Sequence, residues 1–184
     1  MAIGLAFLIS LATVPLAGGR LTALGDVRFR ARAILLAAIA AQILNISVVP
    51  QGSAGLHSAV HIGTYVAVAA FAVANRRIPW VWLVTLGGAL NFVAITANGG
   101  VMPAAPRALQ GAGLAVDASE FTNSGAVAHP HLQFLGDVFW LPSSWPLSNV
   151  FSIGDVLIVL GALLAMHCVC ASRLAVRRFA VPAV

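Results

Sequence analysis

Apolar runs of the length that crosses a bilayer, about 20 residues, recur along this chain, with arginines clustered between them. Runs of this kind leave apolar surface on every side. Of the 184 residues, 60% are hydrophobic and 8% charged, whereas a soluble domain carries about a quarter charged residues to solvate its surface. Much of this surface therefore meets something other than water. Disorder is excluded by the same figures, because its signature is low hydrophobicity with high charge.

The expected fold class is an all-α integral membrane protein, a five-transmembrane-helix bundle with one long extracytoplasmic loop. The runs place helices at about 1–17, 33–49, 57–74, 79–96 and 151–171, in a single membrane domain, 1–184, with the outer loop at about 97–149. The first run has no charged residue before it and Arg20 after it. A signal peptide has the reverse order, so the run reads as a retained helix that starts outside. Pro50-Gln51-Gly52-Ser53 reads as a short outer turn, Pro79 as the start of the fourth helix, and Trp80 and Trp82 as residues of the inner interface. Ala37-Ala38-Ile39-Ala40-Ala41 and Gly87-Gly88-Ala89 supply the small residues that let helix backbones approach closely in a bilayer.

Orientation follows from the arginines. All ten basic residues are Arg. Arg20, Arg28, Arg30, Arg32, Arg76, Arg77, Arg173, Arg177 and Arg178 fall in the segments read as cytoplasmic, and Arg107 alone falls outside. The positive-inside rule then sets the amino terminus outside and the carboxyl terminus in the cytoplasm. An Ala- and Arg-rich chain without Lys points to a GC-rich bacterium, hence to the bacterial cytoplasmic (inner) membrane. The net charge of +5 sits beside apolar runs and not on a phosphate-binding face, so nucleic acid is not an expected partner. Expected partners are the lipid bilayer and a membrane protein.

Cys168 and Cys170 are two apart on a helix and point to different sides, so they are read as reduced packing residues.

Polar groups at membrane depth come next. Asn45, Asn91 and Asn98 read as interhelical hydrogen-bonding residues, with the alternative that Asn98 lines a site. Asp155 stands in the first turn of the last helix, where a carboxylate suits the dipole and Ser152 can cap. Asp137 lies upstream in a similar Gly-Asp setting. Two outer-face carboxylates brought together could share a proton as an acid–base pair, so Asp137 and Asp155 are the candidate catalytic residues.

Asn149-Val150-Phe151-Ser152-Ile153-Gly154-Asp155, with Asp137, resembles the C-terminal part of the lipoprotein signal peptidases. Those membrane aspartyl proteases open their last helix with an Asn-x-Ala-Asp motif. This chain departs from them in having an extra helix. It also lacks their Asn-Ile-Asp-Arg-like element, Asn98-Gly99-Gly100 being the nearest segment. A resemblance over most of the chain rests on Gly19-Arg20-Leu21, Ala97-Asn98-Gly99-Gly100-Val101-Met102-Pro103, Leu135-Gly136-Asp137 and Ser152-Ile153-Gly154-Asp155. These are similar to a family of small bacterial polytopic membrane proteins with a domain of unknown function. That resemblance implies the topology and no activity.

His57 and His61 share a helix face, and His129 and His131 lie in the outer loop. They are weak metal candidates, since no Cys or Glu motif completes a set, and no metal site is expected. His167 reads as a helix-packing residue. Trp140 and Trp145, with Phe134 and Phe139, mark an outer segment expected to fold back on the bundle, as a membrane-hugging loop or as a lid over an outer pocket. With Asn98, the two tryptophans are the candidate substrate-binding residues. No Walker loop, dinucleotide fingerprint or Gly-x-Ser-x-Gly elbow is present, so neither nucleotide nor cofactor is expected.

Three functions fit. The first is an accessory or scaffold subunit of a membrane complex. The second is a membrane-embedded hydrolase using the Asp pair on a lipid or lipid-linked substrate. The third is a small-molecule carrier, the weakest because few polar groups lie near mid-membrane.

Overall fold

A computed structural model describes residues 2–45, 54–114 and 124–175. The outer turn expected at Pro50 to Ser53, the last residues of the second helix, Arg177 and Arg178 lie outside the described residues.

The described chain is mostly helical. Each of the five apolar runs forms a helix: α1 (Ala2–Leu16), α2 (Arg32–Ile43), α3 (Ala54–Ala74), α4 (Val81–Ala97) and α6 (Ile153–Val169). A short α5 (Pro106–Ala112) lies between the last two. In α3, Gly55–Ala74 is long and apolar enough to cross a membrane; the other four apolar helices are shorter, at 10–17 residues. Helix α4 begins two residues after Pro79, because Trp80 sits in the left-handed region at φ +64° and the helical hydrogen bonding starts only beyond it.

Buried polar side chains and exposed large aliphatic ones occur together along the helices. Asn45, His57, His61, Asn75, Asn91 and His167 are buried, while Leu8, Ile9, Leu36 and Val66 are more than half exposed. Polar groups therefore join the helices from within. On the α2–α3 side, Asn45 Nδ2 donates to the His57 carbonyl (3.2 Å), and Asn45 Oδ1 is 2.8 Å from His57 Nδ1. Between α1 and α6, His167 lies 3.0 Å from Thr13 Oγ1 and 2.6 Å from Ser172 Oγ.

Helices α4 and α6 make the closest approach, and glycine is the reason. A methyl group at Gly87 would lie 2.9 Å from the Ile158 backbone nitrogen, one at Gly154 2.6 Å from the Gly87 carbonyl oxygen, and one at Gly161 2.8 Å from the Val84 nitrogen. Backbone meets backbone here, the packing that bilayer helices favour.

The stretch expected to be a long loop is folded. Pro106 occupies the first turn of α5, where its missing N–H costs nothing, and Gly113 ends the helix at φ +66°. Strand β1 (Met102–Pro103) pairs in parallel with β2 (Ser124–Gly125). Strand β3 (Asp137–Leu141) pairs antiparallel with β4 (Asn149–Ser152), with an irregularity between Asp137 and Phe139. Ala104, Ala105, Ala108, Leu109, Ala112 and Val150 form a small core, with Val138 packed against it. These elements are two to seven residues long, too short to leave a readable period in the sequence. The hairpin leads straight into α6, so β4 delivers Ser152 as the N-cap of that helix.

Candidate functional site

The hairpin and α4 bring Asp137 and Asp155 into one neighbourhood. Ser152 is extended (φ −100°, ψ 170°) and closes a capping box. Its Oγ accepts from the Asp155 backbone N–H at 3.0 Å, and its own N–H donates to Asp155 Oδ2 at 3.0 Å. The other carboxylate oxygen, Oδ1, accepts from Asn91 Nδ2 at 2.8 Å. Ser152 Oγ in turn donates to Asn91 Oδ1 at 2.8 Å. One asparagine of α4 thus holds both ends of the α6 cap.

Asp137 is register partner of Ser152 across the hairpin. It is 3% exposed. Its backbone carbonyl accepts from Ala105 N–H at 3.0 Å, and Ser124 hydrogen-bonds its side chain. Burial pushes the Asp137 carboxyl up to about 6 from an ordinary 3.8; the Ser124 hydrogen bond pulls it down and the Asp155 charge adds to the rise. The Asp137 carboxyl feels the Asp155 charge, and its buried environment favours the protonated form.

Tyr65 of α3 completes the cluster by a side-chain hydrogen bond to Asn91. It was not singled out from the sequence. As the chain's single tyrosine, four residues beyond His61 and eight beyond His57, it carried a signal in that shared helix face. Ser124 had no such signal, since its partner is 13 positions away in a different strand.

Tyr65 also borders a cleft of about 500 Å³ between α2, α3 and α4, whose wall is overwhelmingly apolar. His61, Thr64 and Gln42 supply polar points, and Ala69, Gly88 and Ala89 supply small ones. The cleft ends against the Asn91–Asp155 cluster through Tyr65.

The other candidates have different employment. The Asn98 amide is bonded within the chain: Nδ2 donates to the Ala94 (2.7 Å) and His131 (2.8 Å) carbonyls, and Oδ1 accepts from His131 N–H at 2.8 Å. It clamps the segment around His131 to the end of α4. Trp140 lies over α5, where a methyl at Gly111 would strike its indole, and Trp145 is 60% exposed. His61 Nδ1 donates to the Gly100 carbonyl at 2.9 Å, and His57 Nδ1 meets Asn45. His129 and His131 are exposed. The four histidines do not converge: among the described residues no group of three or more His, Cys, Asp or Glu could hold a metal ion. No disulfide joins Cys168, which is half-buried, to Cys170, which is buried.

A family model for a family of unknown function, DUF5317, matches residues 26–167. The chain belongs to that family. The match runs from the segment before α2 to the last turn of α6, so the Asn91–Ser152–Asp155 cap, Asp137 and the cleft all lie within the DUF5317 region. No curated protein and no solved structure matches the chain.

Proposed function

We propose that this DUF5317 chain is an integral protein of a bacterial inner membrane, with five spanning helices, its amino terminus outside and its carboxyl terminus in the cytoplasm. On this reading it serves as an accessory subunit that receives a spanning helix of a partner protein. The membrane part is supported by the many large aliphatic side chains left exposed on the helices while asparagine and histidine are buried, and by the side-to-side bias of the arginines. Helices α4 and α6, at 17 residues each, reach the lower end of what spans a bilayer, about 17–25 residues. Thinning of the bilayer or snorkelling of flanking residues accommodates such short helices at modest cost.

The observation that carries the subunit reading is the apolar cleft between α2, α3 and α4. Lipid-facing helices gain nothing from hydrophobicity when they associate; they gain from close packing and interhelical hydrogen bonds. A wall holding the small residues Ala69, Gly88 and Ala89 offers the close packing. The carboxylates speak for the same reading, because both Asp155 oxygens are already engaged in the α6 cap.

The test is purification of the tagged protein from its own membranes in mild detergent, followed by mass spectrometry. A stoichiometric membrane partner is expected, and Ala69→Trp, which fills the cleft from an exposed position, should release it while the protein still elutes as a folded species. Recovery of the protein alone, or a partner indifferent to Ala69→Trp, overturns the reading.

One observation favours a second reading, a membrane-embedded hydrolase. Asp137, whose burial raises its carboxyl to about 6, feels the charge of Asp155, and two interacting carboxyls are what acid–base catalysis can use. Hydrolysis of a lipid-linked substrate that disappears in both Asp137→Asn and Asp155→Asn would establish it. A fully active double variant would rule it out.

A further inference from the structure

A second cleft lies at the opposite end of the helices from Asp137. It is about 150 Å³ and is lined by Arg28 and Arg30, from the segment before α2, and by Asn75, Arg76 and Arg77, from the turn after α3. We infer that this cleft is a binding site for a phosphate group.

The site is built rather than a chance gathering of flexible charges. Asn75 is buried and grips the Arg30 backbone from both sides: Oδ1 accepts from Arg30 N–H at 2.9 Å, and Nδ2 donates to the Arg30 carbonyl at 2.9 Å. Nδ2 also donates to the Phe71 carbonyl at 2.8 Å, which locks the amide to the last turn of α3. Phe29 packs on Phe71, ring centroids 5.9 Å apart. Two chain segments 45 positions apart are thereby fixed face to face, each bringing two exposed arginines to the cleft.

Four like charges around one small volume repel one another unless an anion joins them. No acidic residue lines the cleft. The carboxyl end of α3 opposes an anion with only about half an elementary charge, against four positive ones. A guanidinium presents a planar fork that matches two phosphate oxygens at once, and the volume equals about five water molecules at roughly 30 Å³ each, room for a phosphate and part of its hydration. Basic pockets at the ends of spanning helices hold lipid phosphates in this way. The site does not depend on the membrane reading; the lipid origin of its phosphate does.

The experiment uses the whole protein, purified in a neutral detergent. Binding of phosphatidylglycerol and phosphatidylcholine is followed by native mass spectrometry, and binding of inorganic phosphate by calorimetry. The variants are Arg30→Gln, Arg76→Gln, the pair together, and Arg20→Gln, which removes the same charge from outside the cleft. Tight phosphatidylglycerol binding, weakened at least tenfold by the Arg30→Gln/Arg76→Gln pair and unmoved by Arg20→Gln or by millimolar phosphate, assigns a lipid headgroup. Inorganic phosphate bound at the same arginines, and competing with lipid, assigns a soluble phosphate and still upholds the site. Equal losses in Arg20→Gln and the cleft variants, or no phosphate or lipid bound by the wild type, overturn the inference. Asn75→Ala separates geometry from charge: it leaves all four arginines in place and should still weaken binding.

Discussion

Asn91 of α4 donates to Asp155 of α6 at 2.8 Å and, through its carbonyl oxygen, accepts from Ser152 at 2.8 Å, so one side chain satisfies the cap of the neighbouring helix. Replacing Asn91 by Leu keeps the bulk and removes a hydrogen-bond partner from three polar side chains, Asp155, Ser152 and Tyr65. A buried group left without its partner costs about 1–3 kcal/mol, and interhelical hydrogen bonds in membrane proteins average nearer 0.6 kcal/mol. A loss of about 1–2 kcal/mol is expected, read as a lower unfolding midpoint in mixed micelles. An unchanged midpoint would show that the Asn91 bonds are made equally well in the unfolded state.

Adjacent glycines of α4 should behave oppositely. A methyl at Gly87 meets the α6 backbone, whereas one at Gly88 meets nothing within 4 Å. Gly87→Ala must push α4 and α6 apart and should cost about 1–3 kcal/mol, the usual penalty of overpacking. Gly88→Ala should be neutral or slightly stabilising, since alanine is the better helix former. Parallel thermal unfolding of the two variants in one detergent decides this.

Asp137 predicts a pH dependence. Its carboxyl is raised from 3.8 to about 6 in the folded protein. Below 3.8 both folded and unfolded chains hold the proton, and burial carries no charge penalty. As pH climbs from about 4 to 6 the unfolded chain ionises this carboxyl while the folded protein holds its proton, so stability falls, by at most roughly 3 kcal/mol, and levels off once both are ionised. Asp137→Asn should flatten this part of the profile and raise the melting temperature at pH 7.5. Wild type and variant melting alike at pH 5 and pH 7.5 would contradict it.

The Asn98 clamp holds the chain around His131 through two hydrogen bonds of 2.8 Å. Asn98→Ala should free this segment without unfolding the helices. Hydrogen exchange is expected to quicken across residues 129–136 and to stay unchanged in α4 and α6. Uniform acceleration along the chain would mean that the clamp supports the whole fold.

The sequence by itself determined where the long helices lie. The apolar runs placed α1, α3, α4 and α6 to within about four residues at each end, because a run of apolar side chains that long has one economical backbone conformation. The cap at Ser152 and Asp155 was legible for the same kind of local reason: Ncap and N3 are three positions apart and bond to each other. Family membership was visible too, in the short motifs that flank the helices. What only the tertiary structure decided was everything that depends on distant segments meeting. Asp137 is buried because a hairpin and α5 close over it, and no residue near it in sequence announces that. Asn98 reads as an interhelical hydrogen-bonding residue, and its partner, the His131 backbone 33 positions later, is fixed only when the chain returns to it. The four arginines of the second cleft read as topology signals until Asn75 ties their two segments together. Local hydrogen bonds and run lengths are written in neighbouring residues; burial and charge clustering are properties of the volume the chain encloses.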